Sequence, residues 1–390
     1  MTDMTSAGPT IDPQTASALI DLDALRANLT AVRAVVAPAE VMMVVKADAY
    51  GHGMLPCAAA ARQAGATWLG VAVPAEALAL RAAGDTGRVF CWLYGPDEDP
   101  TALIDAEVDV SVQSPEQVAA VELAAGHLRR TARIHLKVDT GLSRNGCRPE
   151  RWGELVAAAR AAEERGAVEV VAVWSHFACA DEVGHPGNTA QLEVFDRAVE
   201  QARAAGLRVP IRHIAASAAA LSIPAARYEL VRLGIAGYGL DPADGTIAAD
   251  AGVTLTPVMT VRARFVNRKH IPAGTGVSYG YHWRAPEGGA ELGLVPLGYA
   301  DGIPRHGAGR LELAAGGRRV HQRGSVCMDQ LVVDLGPAAA EQIGDEVVLF
   351  GAPDPDGVVP TASDWARWCG TIGYEIVTRI GERVPRVLRG

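Results

Sequence analysis

The chain has 390 residues, 49% of them hydrophobic, and a formal net charge of −9. That is apolar material for two domains, or for one large barrel with an appendage, and the negative balance argues against a broad nucleic-acid surface. No run of 18 or more apolar residues is present to cross a bilayer, and six scattered cysteines without a C-x-x-C pair suggest neither a disulfide framework nor a zinc knuckle, so a reduced, cytoplasmic protein is expected.

In chain order, residues 1–16 are polar, contain Pro9 and Pro13, and read as a short disordered tail without a secretory signal. Leu22, Leu25, Leu29, Val32 and Val36 then recur at helical spacing over 21–36. Eight runs rich in aliphatic and aromatic residues follow, at 41–46, 68–73, 89–94, 108–112, 133–139, 168–177, 211–217 and 228–234. Most are continuous rather than alternating, as parallel strands covered on both faces must be. Ala-rich helical segments at 54–65, 74–84, 115–125 and 149–166 lie between them, several closed by Gly. Eight strand–helix units predict a (β/α)8 barrel over 17–252, ending in a turn-rich linker at 241–252. Beyond it, runs at 258–266, 291–297, 331–335 and 347–350, separated by Gly and Pro turns, predict a mostly β domain over 253–390.

Barrel enzymes work at the C-terminal ends of their strands. The polar residues ending the predicted strands are Lys46, Lys137 with Asp139, His176, Ser217 and Arg232, so five strands converge on one mouth. Lys46 closes an apolar strand, where desolvation lowers an amine's pKa. That suits an amine that attacks a carbonyl; the alternative is a lysine that snorkels out. Ser217 precedes Ala218, Ala219 and Ala220 and also suits a helix N-cap.

Several motifs add to this pattern. They are VKADAYGHG at 45–53, LKVDTGLSR at 136–144, SHFA at 175–178 and VRLGI at 231–235 in the first half. The second half carries VSYG at 277–280, LGYADG at 297–302, VCMDQ at 326–330 and GYE at 373–375. In order and spacing the chain resembles the alanine racemases, fold-type III pyridoxal 5'-phosphate enzymes, from about residue 18 to 388.

The resemblance implies that Lys46 holds the cofactor covalently and is one catalytic base, with Tyr279 the second on the opposite face of the substrate Cα. It implies that Tyr50, Ser217, Tyr374 and the backbone of Gly234 and Ile235 hold the phosphate. Arg232 would face the pyridine nitrogen. Arginine keeps its proton, so that nitrogen stays unprotonated and the ring is a weaker electron sink, which restrains side reactions. His176 would lie between Arg232 and Tyr279. Arg144 would bind the substrate carboxylate with a planar fork suited to it, and Met328 would offer its backbone N–H. Lys137 matches a lysine the family often carries as a carbamate; an ion pair with Asp139 is the competing reading. Tyr279 and Met328 would come from a partner subunit, making a homodimer with shared sites. Interconversion of L- and D-alanine for peptidoglycan is implied. The alternatives are a racemase of serine or a broader set, and a non-catalytic cofactor-binding homologue. Ala216 stands where the family usually has Asn, removing a polar group beside the phosphate site.

Overall fold

The computed structural model describes residues 10–95, 98–243, 245–337 and 339–390. The chain enters through β1 (Ala16–Asp21). Asp21 then N-caps the helix Leu22–Val36 by accepting from the Ala24 N–H at 3.0 Å. The helix buries Leu22, Leu25, Leu29, Val32 and Val36, the stripe its spacing foretells.

Eight parallel strands follow: β2 (Glu40–Val44), β3 (Trp68–Val71), β4 (Arg88–Cys91), β5 (Asp109–Val112), β6 (Ala132–Lys137), β7 (Val168–Trp174), β8 (Ile211–His213) and β9 (Leu230–Leu233). They form one sheet in the order β8-β7-β6-β5-β4-β3-β2-β9. Its ends meet through the Arg232 N–H donating to Ala215 O at 3.0 Å and an Arg212–Glu229 ion pair at 2.6 Å, nearly closing a barrel. Each strand overlaps one of the eight apolar runs, with β2, β4 and β6 starting one residue earlier at Glu40, Arg88 and Ala132, because strands buried on both faces leave an uninterrupted apolar signature.

The second sheet is built from β10 (Met259–Arg264), β11 (Asn267–Ile271), β14 (Ala290–Val295), β15 (Glu312–Ala315), β16 (Arg318–Arg323), β17 (Leu331–Asp334), β18 (Glu346–Phe350) and β19 (Arg386–Arg389). A two-residue ribbon pairs β12 (Gly276–Val277) with β13 (Trp283–Arg284). β1 joins this sheet, antiparallel to β10 and parallel to β19. The β-rich domain therefore takes its ninth strand from the start of the chain, where the sequence reading placed the edge of the tail and the first residues of the barrel. Ile11 is already tied down, its N–H donating to Arg383 O at 2.8 Å. The remainder of the expected tail, residues 1–9, lies outside the described residues.

Two helices return the β domain to the barrel. Ala362–Cys369 starts at Thr361, whose capping box with Asp364 fixes its first turn. Gly373–Thr378 then lies against the loop after β2, where a Cβ on Gly51 would sit 2.7 Å from Val377 O. Arg386 donates to Gly51 O at 2.9 Å, pinning that loop from the other side.

Candidate active site

The C-terminal mouth of the barrel opens into a cavity of about 310 Å³. Ten residues expected at the site line it: Lys46, Tyr50, Lys137, Arg144 and His176, together with Ser217, Arg232, Gly234, Ile235 and Tyr374. Among the described residues its lining holds four cationic side chains and no carboxylate.

Lys46 follows β2 after one residue, Val45, and leads into an unusual turn. Ala47, Asp48, Ala49 and Tyr50 all have φ between 52 and 55°, a left-handed turn without glycine. Such a conformation costs roughly 1–2 kcal/mol per residue, so neighbours must hold it. Glu76 accepts from the Ala47 N–H at 2.6 Å and from the Ala72 N–H at 2.8 Å. Asp48 accepts from the Met54 N–H at 2.7 Å. His52 lies within hydrogen-bond distance of Ala49 O and Tyr50 O through Nδ1, at 2.9 and 3.0 Å. Carbonyls only accept, so the His52 proton sits on Nδ1. The turn places the Tyr50 ring 4.9 Å from Tyr238 and 6.3 Å from Tyr374, with all three phenols pushed up by burial.

Between Tyr50 and the helix Ser217–Ser222 lies a cup of hydroxyls and backbone N–H groups. Ser217 Oγ accepts from the Gly234 N–H at 3.0 Å and the Ala236 N–H at 3.4 Å. A Cβ on Gly234 would lie 2.5 Å from the Tyr50 hydroxyl, so only glycine admits this approach. Ala216 caps the helix start without a side-chain bond.

Arg232, in β9, is buried with its donors aimed inward. Nη1 donates to His213 O at 3.0 Å and to His213 Nδ1 at 3.1 Å. Nη2 donates to Ser175 O and His176 Nδ1 at 2.9 Å and to Ile214 O at 3.0 Å. Among the described residues none accepts from Nε, which leaves one N–H for a group in the cavity. Burial, with the nearby Arg144 charge, pushes Arg232 down to about 9, still protonated at neutral pH. Because Arg232 can only donate, His176 Nδ1 accepts and its proton sits on Nε2. Burial and the surrounding cations hold His176 well below the usual imidazole range, so it is neutral.

The amines respond to the same field. Lys46 is lowered by burial, then by Arg144 and Arg232, against Glu76. Lys137 is pushed down to about 7 by burial, with Arg232, Arg144 and Lys46 adding to it. Its Nζ lies 4.2 Å from the Trp174 ring centroid. The competing ion pair with Asp139 does not form among the described residues: Asp139 accepts from the Gly141 and Ser143 N–H groups, both at 3.0 Å.

Two expected residues stand apart from this cavity. Tyr279 is 69% exposed and Met328 53% exposed, both on the β domain. Ser325 Oγ donates to the Tyr279 carbonyl at 2.9 Å, and Ser278 Oγ donates to Ser325 O at 2.7 Å. The Met328 N–H has no acceptor among the described residues. Sequence reasoning did not single out Trp92 and Trp174, which also line the cavity. A strand-end tryptophan looks like core until the strand order shows which way it faces.

A (β/α)8 barrel with amines, guanidinium groups and a hydroxyl cup at its mouth, joined to a β domain, defines a two-domain barrel enzyme working at its strand ends. Residues 20–242 match the family model described as alanine racemase, N-terminal domain, and residues 258–388 the one described as alanine racemase, C-terminal domain. The chain belongs to the alanine racemase family and is an isomerase. It is 52% identical to the alanine racemase of Streptomyces coelicolor over 377 residues, 95% of each chain. The crystal structure of alanine racemase from D-cycloserine producing Streptomyces lavendulae superposes with a TM-score of 0.93 at 50% identity, covering 97% of this chain and 98% of that one. Alanine racemase from Bacillus anthracis with bound L-Ala-P gives a TM-score of 0.86 at 32% identity, covering 96% and 95%.

Proposed function

We propose that this protein interconverts L- and D-alanine with pyridoxal 5'-phosphate, by proton transfer at both faces of Cα. The observation that carries the reading is Arg232, whose terminal nitrogens are committed to the barrel while its Nε–H is left for the cavity. That donor suits an unprotonated ring nitrogen. The residues fit the cofactor at its other points too: Lys46 offers an amine of lowered basicity, and the Gly234 and Ala236 N–H groups meet at Ser217 beside the Tyr50 hydroxyl. Tyr374 and the Ile235 backbone complete a phosphate cup. When bound, the cofactor withdraws electrons from Cα and acidifies its hydrogen.

Lys46 takes or returns a proton on one face. Tyr279 of a second copy serves the other, which makes the protein a homodimer with shared sites; its exposure leaves it available for that contact. His176 Nε2–H would donate to that phenol oxygen and favour its deprotonated form. Arg144 grips the substrate carboxylate, helped by the Met328 N–H of the second copy. Lys137 carries a carbamate, because an amine near 7 among three cations is neutral enough to add carbon dioxide and gains by becoming an anion. The D-alanine formed supplies peptidoglycan in the cytoplasm. No helix among the described residues is long and apolar enough to cross a membrane.

Chiral chromatography of purified protein with either enantiomer tests the reading. Conversion to an equal mixture from both sides, dependent on added cofactor and absent in Lys46→Ala, is expected. Cofactor-loaded protein that leaves both enantiomers untouched would sink it.

A further inference from the structure

Beneath the cavity floor, three polar residues cross the barrel core. Asp109, His135 and His213 are each 0% exposed. His135 Nε2 lies 3.1 Å from Asp109 Oδ2, and His135 Nδ1 lies 2.9 Å from His213 Nε2. His213 Nδ1 meets Arg232 Nη1. Aromatic rings sheathe the chain: Phe90 stacks on His135 at 4.2 Å and Trp174 on His213 at 5.5 Å. At the far end Arg88 and Arg133 both pair with Asp109.

Donor rules leave this chain one proton arrangement. Arg232 cannot accept, so His213 Nδ1 is the acceptor and its proton sits on Nε2. That proton goes to His135 Nδ1, which places the His135 proton on Nε2, donating to Asp109. A charged His213 would set N–H against the Arg232 N–H. Every bond therefore points from Arg232 to Asp109. Burial holds both imidazoles below their ordinary range, in keeping with neutral rings. An apolar filling would serve barrel stability as well or better, and a buried polar chain of this length is tolerable only if fully satisfied. At the cavity end it reaches Arg232.

We infer that Asp109, His135 and His213 are positioning residues, a one-way hydrogen-bonded relay that fixes the Arg232 guanidinium so that its Nε–H stays aimed into the cavity. The inference rests on the reading that Arg232 meets the cofactor ring there. His135→Leu breaks the relay. His135→Gln preserves its sense, because the amide can accept through oxygen and donate through nitrogen.

The cofactor dissociation constant of the apoenzyme, kcat, KM and the melting temperature are measured for both variants. His135→Leu should weaken cofactor binding and lower kcat, each about tenfold, with KM within about twofold; His135→Gln should stay close to wild type. Wild-type affinity and kcat in His135→Leu overturn the relay, as does equal impairment in His135→Gln with an unchanged melting temperature. Neutron diffraction on the wild-type holoenzyme decides the matter even if a variant does not fold. Deuterium on Nε2 of both imidazoles is expected, and deuterium on Nδ1 of either refutes the arrangement. Wild-type protein that binds cofactor but racemises nothing would defeat the functional reading, while the affinities and deuterium positions would still judge the relay.

Discussion

Acid should unfold this protein through its buried histidines. Burial pushes His52 down to about 4 and lowers His135, while His176 and His213 are held well below their ordinary value. In the unfolded chain all four titrate near 6.5. Below that value the unfolded state binds protons that the folded state refuses, so stability falls as pH drops from about 6.5 toward 4. The sign is that of depressed bases: the folded form gains nothing from acid and the unfolded form does. For His52 alone the gap between 6.5 and about 4 amounts to about 3 kcal/mol at the acid end. His176 and His213 act in the same direction, so unfolding near pH 5 should take up more than the one proton of His52, a slope steeper than about 1.4 kcal/mol per pH unit. Urea unfolding at fixed protein concentration, followed by circular dichroism from pH 8 to 4.5, measures that slope. His52→Gln should remove about one proton from it, since the amide can still donate to the turn carbonyls without titrating. An unfolding free energy that stays level between pH 7 and 5 would refute the assignment of buried, neutral rings.

Tyr279→Phe should leave folding within about 0.5 kcal/mol of wild type, since the side chain is exposed, yet slow racemisation by about 10²- to 10⁴-fold. Solvent deuterium incorporation should fall far more from one enantiomer than from the other; equal, small effects in both directions would remove it as a base. Gly234→Ala forces a Cβ to 2.5 Å from the Tyr50 hydroxyl; overpacking of about 1–3 kcal/mol should weaken cofactor affinity by about five- to a hundredfold, read by absorbance titration, and unchanged affinity would contradict the close approach. Removing carbon dioxide should depress activity and bicarbonate restore it. That dependence shrinks as pH falls below about 7, where the Lys137 amine protonates, and is absent in Lys137→Ala.

The barrel was legible because its strands carry continuous apolar runs, and the mouth because five of those runs carry a polar residue at or near their C-terminal end, the end that barrel topology gathers at one rim. What was hidden depends on partners far away in the chain. β1 has the length of a lead into the following helix, and only its pairing with β10 and β19 makes it a sheet strand. β11 and β16 carry Asn267, Arg268, Lys269, Arg318 and Arg319, whose charges suit a partly solvated face and mask the strand pattern. Lys137 and Asp139 stand two apart and left an ion pair open as a competing reading, yet the loop after β6 turns the aspartate onto backbone N–H groups. Asp109, His135 and His213 each look like an isolated polar interruption of an apolar run, and their meaning appears only when β5, β6 and β8 are placed around one axis.

Charge balance explains why these residues belong together. Lys46, Lys137, Arg144 and Arg232 line one cavity with no carboxylate beside them among the described residues, and each cation raises the free energy of the others. The protein relieves part of that repulsion by lowering the two amines. On the proposed function, anions entering the cavity would relieve the rest: a phosphate ester at the Ser217 cup, a substrate carboxylate at Arg144 and a carbamate on Lys137. Each would raise the proton affinity of Lys46 again, because the two arginines that depress it would then be screened. On that function Lys46 would be the weaker base in the empty site and the stronger one as ligands arrive, which ties its proton transfer to the filled site.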